Sequence, residues 1–284
     1  MKQLHRITRT DQSHWVGDGF PVRTLFSYNT PDAEMSPFLM LDYAGPMEFP
    51  PASKPRGVGM HPHRGFETVT ILYRGEVEHR DTVGHGGMIG PGDVQWMTAA
   101  KGLLHEEMHS AAFTRQGGVF EAIQLWVNLP AEYKMIAPHY QSILNDRIPV
   151  QKLDRQGGFI RIIAGEYQGI KGPASTYTPI NLWDLRLSEG HTLELDFPEN
   201  HTTMLFALKG SVKINNTSTL NDVELAFFEQ AGTKVTLTAL KDTTLLVMNG
   251  AAINEPIAGY GPFVMNTQEE IQLAIKDFNA GDFG

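Results

Sequence analysis

"GMHPHRGFETVTILYRGEV", residues 59–77, decides the reading of this chain. After Gly65, Thr68, Val69, Thr70, Ile71 and Leu72 form a β-branched, apolar run that ends at Gly75, the signature of a short strand bounded by turns. Ahead of it stand His61 and His63, one residue apart. In extended backbone, residues i and i+2 point to the same face. The two imidazoles then lie side by side, close enough to share one metal ion at ordinary nitrogen–metal distances. Pro62 between them stiffens the backbone and gives up one N–H, which suits a strand start or edge.

Other runs of the same kind are "GVFEAIQLWVNL", "GFIRIIAG", "TMLFALKGSVKIN", "VELAFFE" and "TKVTLTAL", punctuated by 28 glycines and 17 prolines. Many short strands with regular turn signals predict an all-β sandwich or barrel. At 284 residues the chain is long enough for two such units. "LYRGEV" (72–77) echoes "ALKGSV" (207–212), which suggests two barrels on one plan. We place the first at 1–135 and the second at 136–284, with the polar, proline-bearing segment 128–150 as the connection. A shift of 135 residues aligns His61 with Asp196 and His63 with Pro198, so metal chemistry is expected in the first half only. Near the end, "NTQEEIQLAIKDFNAGDFG" predicts a short closing helix. Thr267 and Glu270 form a capping box, Ile271, Ala274, Ile275 and Phe278 share a face, and Gly281 stops the helix.

Net charge is 23 − 32 = −9, which opposes binding to a phosphate backbone, so no direct nucleic-acid partner is expected. No cysteine is present. Disulfides, thiolate metal sites and thiol nucleophiles are excluded, and any metal must use His, Asp or Glu. No apolar run reaches the roughly 18 residues of a membrane span, and no signal core opens the sequence. The expectation is a cytoplasmic chain without membrane partners, and a monomer.

Further donors lie in "GLLHEEMHS" (102–110). His105 and Glu107 repeat the i, i+2 geometry, and Glu106 and His109 flank them. Glu67 keeps the parity of His61 and His63 and is a candidate supporting carboxylate. Three histidines and one carboxylate suit Fe(II), Mn, Co, Ni or Cu. Phe66, Trp96, Met97 and Phe120 are candidate pocket walls, although core packing is the commoner role of such residues. Between the donor pairs, "GPGDVQWMTAAKG" (90–102) begins with a tight turn.

The His-x-His, the Pro-Gly-Asp turn and the later histidine resemble the cupin superfamily. "HPHRGFETVTIL", "GDVQWMTAAKGLLHEEMH", "SPFLMLDYAGP" (36–46) and "NEPIAGYGPFVMNTQEEIQLAIKDF" are similar to the pirin family, over nearly the whole chain. The resemblance implies two consecutive cupin barrels with one metal, in the first. Carried over position by position, it implies His61, His63, His105 and Glu107 as ligands, most readily of Fe(II), with Mn, Co, Ni, Cu or Zn as alternatives. A serine is common where this chain has Glu106, which is expected to add charge near the site. The activity implied is that of a quercetin 2,3-dioxygenase, opening a flavonol ring with O2 and releasing carbon monoxide, with Glu107 as the base. The alternative implied is a non-enzymatic, redox-responsive metal-binding regulator with a protein partner, a transcription factor or a metabolic enzyme.

Overall fold

The computed structural model describes residues 1–30 and 35–283. The chain is mostly strand; the α-helices among the described residues are Ala111–Gln116 and Gln268–Ala280. None is long and apolar enough to cross a membrane. Two compact units form, each from a seven-stranded and a four-stranded antiparallel sheet. In the first, the larger sheet runs His139–Ile143, Val94–Thr98, Phe66–Arg74, Gly118–Asn128, Phe38–Phe49, Phe20–Ser27, His14–Val16. Its smaller sheet runs Gly57–His63, Leu103–His109, Val77–Asp81, Gly86–Ile89. The second unit repeats this order. Leu4–Arg9, Glu224–Phe228, Thr202–Lys209, Thr243–Gly250, Ile180–Leu187, Gly158–Ala164 and Val150–Lys152 make the larger sheet. Thr192–Asp196, Lys234–Ala239, Ser211–Ile214 and Ser218–Asn221 make the smaller one. Two barrels on one plan, all β, is the expected fold.

The barrels do not divide at 135/136. Leu4–Arg9 pairs with Glu224–Phe228 in the second barrel, where Leu4 and Ile7 pack on its core. His139–Ile143, inside the segment expected to be an irregular connection, pairs with Val94–Thr98 at the edge of the first barrel's larger sheet. Each half's leading strand thus lies in the other half's sheet, supplying ladder partners to an otherwise open edge. The closing helix, expected with the second barrel, belongs to the first unit. Ile271 and Ala274 are buried against Ala258, Phe263, Met265 and Leu104. Its predicted ends are present: Thr267 and Glu270 make a reciprocal capping box, and Gly281 closes it in the left-handed conformation. Phe278, on the same predicted face, is more exposed.

The second barrel's interior is apolar: Leu193, Leu195, Val212, Ile214, Val235 and Leu237 from one sheet meet Ile162, Trp183, Leu205 and Val247 from the other. Each such side chain contributes about 1.5–3 kcal/mol when taken from water. The first barrel keeps an apolar cluster at one end, around Leu72, Val77, Phe113 and Phe120, and polar side chains elsewhere in its interior.

Candidate metal centre

Strand pairing assembles the histidines. Gly57–His63 runs antiparallel to Leu103–His109, with His61 opposite His105 and His63 opposite Leu103. The ring centroids lie 4.3 Å apart for His61–His105, 4.8 Å for His61–His63 and 5.0 Å for His63–His105. Their potential ligand nitrogens fall within 4.8 Å of one another. A bulge between His105 and Glu107 offsets the ladder at this point.

His63 and His105 are buried, and neither ring nitrogen of either has a hydrogen-bond partner. Leaving such groups unsatisfied costs about 1–3 kcal/mol each. Burial holds both imidazoles well below their ordinary pKa, with the neighbouring histidines adding repulsion. They are therefore neutral, with lone pairs available to a Lewis acid. His61 is half-buried, and its Nδ1 lies 2.8 Å from the Gly59 carbonyl oxygen. With Nδ1–H donating there, Nε2 is left as the ligand atom. The donor set fits one divalent transition ion.

Glu107 stands beside the trio rather than within it. It lines a cavity of about 340 Å³ together with His61 and His63. Gln124 Nε2 donates to its Oε2 at 3.1 Å, and Thr70 Oγ1 to its Oε1 at 3.4 Å. Gln124 is itself oriented by Trp126, whose Nε1 donates to Oε1 at 3.3 Å. Burial raises the Glu107 pKa, against the opposing effects of His61 and of the Gln124 and Thr70 hydrogen bonds. The remaining walls are largely apolar, among them Val22, Ala44, Val77 and Phe120.

Glu67 does not share the histidines' face. Gly65 adopts φ +89°, where a Cβ would lie 2.0 Å from the Val264 carbonyl oxygen. The chain turns there and enters the other sheet, so the parity counted from His61 is lost. Thr70 faces the cavity and Glu67 the opposite side. Thr98 Oγ1 donates to Glu67 Oε1 at 2.7 Å, and burial raises this carboxyl pKa to about 7. Glu106 likewise alternates away from Glu107 and meets the Arg80 guanidinium, so its charge is not in the cavity. His109, the flanking donor, is buried among Phe20, Phe49, Phe113 and Phe120, with Nε2 3.0 Å from the Gly19 carbonyl oxygen. Of the four candidate wall residues Phe120 lines the cavity; Phe66 packs behind His63 and Trp126, and Trp96 and Met97 are buried but do not line it.

Sequence reasoning missed Thr70, Gln124 and Asp42. The available signal was a lone polar residue in an apolar strand, as in "FLMLDYAG" and "FEAIQLWV".

The second barrel has apolar side chains at the matching places. With Val77 and Val212 equivalent, as the sequence echo has them, Val77 pairs with His109 and His79 with Glu107; Val212 pairs with Ala239 and Ile214 with Leu237. Two residues before Glu107, His105 meets His61, and two before Leu237, Val235 meets Leu195. The register therefore sets Leu195, not Asp196, against His61. Asp196 is exposed and opposite Lys234.

Comparison with known proteins identifies the family. The pirin family model matches residues 19–127, and the model of the pirin C-terminal cupin domain matches residues 182–284. A Pseudomonas aeruginosa protein named "putative quercetin 2,3-dioxygenase" is 52% identical over 283 residues, covering 100% of this chain and 99% of its own. A "pirin-like protein" of Solanum lycopersicum is 39% identical over 272 residues, 94% of this chain and 88% of its own. The crystal structure of a quercetin 2,3-dioxygenase from Acinetobacter baumannii superposes with a TM-score of 0.98 at 52% identity, over 100% of this chain and 99% of that one. Both halves are thus matched, and the chain belongs to the pirin family of cupin proteins.

Proposed function

We propose that this protein is a metal-dependent dioxygenase of quercetin-like flavonols, converting flavonol and O2 into the ring-opened ester and carbon monoxide. In this reading His61, His63, His105 and Glu107 hold one divalent ion, Fe(II) foremost, with Mn, Co, Ni, Cu or Zn as alternatives. The observation that carries it is the trio of converging imidazoles, of which His63 and His105 are buried with no hydrogen-bond partner and His61 and His63 line an apolar cavity with Glu107. When bound, such an ion lowers the proton affinity of a flavonol oxygen beside it.

The chain's own groups do the rest. Glu107 takes the flavonol hydroxyl proton, and burial makes its carboxylate a stronger base than an exposed one. Gln124 and Thr70 hold that carboxylate toward the cavity. His61 keeps its ligand nitrogen oriented through Gly59. Val22, Val77 and Phe120 limit the access of water to the reacting ring.

The test is direct. Purified protein is assayed for bound metal, then mixed aerobically with quercetin while visible absorbance and evolved carbon monoxide are followed. Turnover in the wild type that disappears in Glu107→Gln, with metal retained, supports the reading. Metal-replete protein that leaves flavonols untouched refutes it and favours the metal-responsive regulator.

A further inference from the structure

One polar row crosses the cavity wall. Thr70, Gln124, Asp42 and Thr24 are successive cross-strand partners on Phe66–Arg74, Gly118–Asn128, Phe38–Phe49 and Phe20–Ser27. The first two hold Glu107. Asp42 comes next, about 5 Å beyond Gln124 by the spacing of adjacent strands, and lines the same cavity.

No structural duty explains this carboxyl group. Asp42 is 7% exposed, and its one hydrogen-bond partner among the described residues is Thr24, whose hydroxyl donates to Oδ1 at 2.5 Å. Oδ2 has none among those residues, and the one basic side chain that acts on Asp42 there is His14, through space rather than by a hydrogen bond. A carboxyl this buried with a single hydroxyl donor is costly, and burial raises its pKa against the opposing effects of the Thr24 hydrogen bond and of His14. The fold does not require a polar group at this point. Counting from the equivalence of Leu72 and Ala207, the second barrel's row is Leu205, Val247, Trp183 and Ile162, so Trp183 stands where Asp42 does.

We propose that Asp42 is a specificity-determining residue whose carboxyl group binds a ring hydroxyl of the aromatic substrate, remote from the oxygen presented to the histidines. The assignment rests on the dioxygenase reading and names its substrate class: polyhydroxylated flavonols rather than bare ones. A phenolic O–H is a strong donor, and a desolvated carboxylate is a strong acceptor for it. A protonated Asp42 serves equally, since its own O–H then donates to the phenolic oxygen. Such a bond is worth roughly 10- to 100-fold in affinity.

The experiment compares quercetin with 3-hydroxyflavone, which keeps the metal-facing oxygen pair and lacks the other hydroxyls. Dissociation constants are measured without O2 by quenching of tryptophan fluorescence, and KM and kcat aerobically. The wild type should prefer quercetin. In Asp42→Ala quercetin should weaken roughly 10- to 100-fold, with 3-hydroxyflavone and bound metal unchanged. Asp42→Asn, which keeps an acceptor and the residue's size, should fall between and serves if the alanine variant fails to fold. Equal losses for both flavonols, or no wild-type preference, overturn the assignment. If the preference exists and depends on Asp42 but no flavonol is turned over, the assignment stands as a binding determinant and the dioxygenase reading falls. If the wild type binds neither flavonol, both fall.

Discussion

Across four strands of the first barrel the inward row reads Thr70, Gln124, Asp42, Thr24; across the corresponding strands of the second it reads Leu205, Val247, Trp183, Ile162. The facing sheets differ in the same way, with His61, His105 and Glu107 against Leu195, Val235 and Leu237. Strand order is shared, so apart from the bulge beside Glu107 the difference lies in the side chains. One interior buries apolar area, which stabilises the chain. The other leaves imidazole nitrogens and carboxyl groups around a cavity, at a cost of about 1–3 kcal/mol for each unsatisfied group. In the proposed function, the ion's binding free energy offsets that cost.

The largest effect should come from the first barrel. His63→Ala removes one of four proposed donors. At about 10–16 kcal/mol for a complete four-ligand site, a quarter share is about 2.5–4 kcal/mol, or roughly 10²- to 10³-fold in affinity. Metal per chain after dialysis, by elemental analysis, should fall from stoichiometric to trace, with the strand signal in circular dichroism retained. Unchanged stoichiometry would remove His63 from the site.

Leu195→Ala, at the position matching His61, should do the reverse. It opens a cavity in a fully buried apolar core and should cost about 2–5 kcal/mol in denaturant unfolding, with metal content unaltered. Loss of metal in this variant would show that the two interiors are not the independent designs their residues indicate.

A third substitution sharpens the first barrel's internal order. Gln124→Leu leaves Glu107 with Thr70 as its one hydrogen-bond donor and should lower kcat/KM about 10- to 100-fold while metal stays bound. The lost hydrogen bond is one of those that depress the Glu107 pKa. The acid limb of the pH–rate profile should therefore move to higher pH. A loss of rate with a fixed profile would assign Gln124 to packing rather than to the carboxylate.

These contrasts were only partly legible beforehand. The parity of His61 with His63 and of His105 with Glu107 is local, and each pair sits on one strand, so i, i+2 counting reached them. Thr267, Glu270 and Gly281 declared the helix for the same reason. Counting failed at Glu67 because Gly65 ends the strand and resets the alternation. At Glu106 the same rule sends the side chain to the face opposite His105 and Glu107, so its charge lies away from the site. The exchange of leading strands was beyond reach, because an edge strand such as Leu4–Arg9 pairs more than two hundred residues away. Asp42 and Gln124 carried a visible signal, but their meaning depends on which strands become neighbours.

The smallest effect concerns the buried carboxylate that faces away from the cavity. Glu67 matches Thr202, a neutral residue whose hydroxyl donates to the Ser36 carbonyl oxygen at 2.6 Å. Burial raises the Glu67 pKa from an ordinary 4.5 to about 7, opposed by the hydrogen bond from Thr98. Below pH 4.5 folded and unfolded chains both carry the proton, and the group does not affect stability. Between 4.5 and 7 the unfolded chain releases it while the folded chain keeps it, so stability falls as pH rises. Above pH 7 the full penalty is present. One pKa unit corresponds to about 1.4 kcal/mol, which caps the penalty at about 3.5 kcal/mol, and we expect about 1–2 kcal/mol after relaxation. Glu67→Gln keeps an acceptor for Thr98 and should gain that amount at pH 8 and none at pH 4, read by chemical denaturation at both. An equal gain at the two pH values would attribute the effect to packing and leave Glu67 no different from its neutral counterpart in the second barrel.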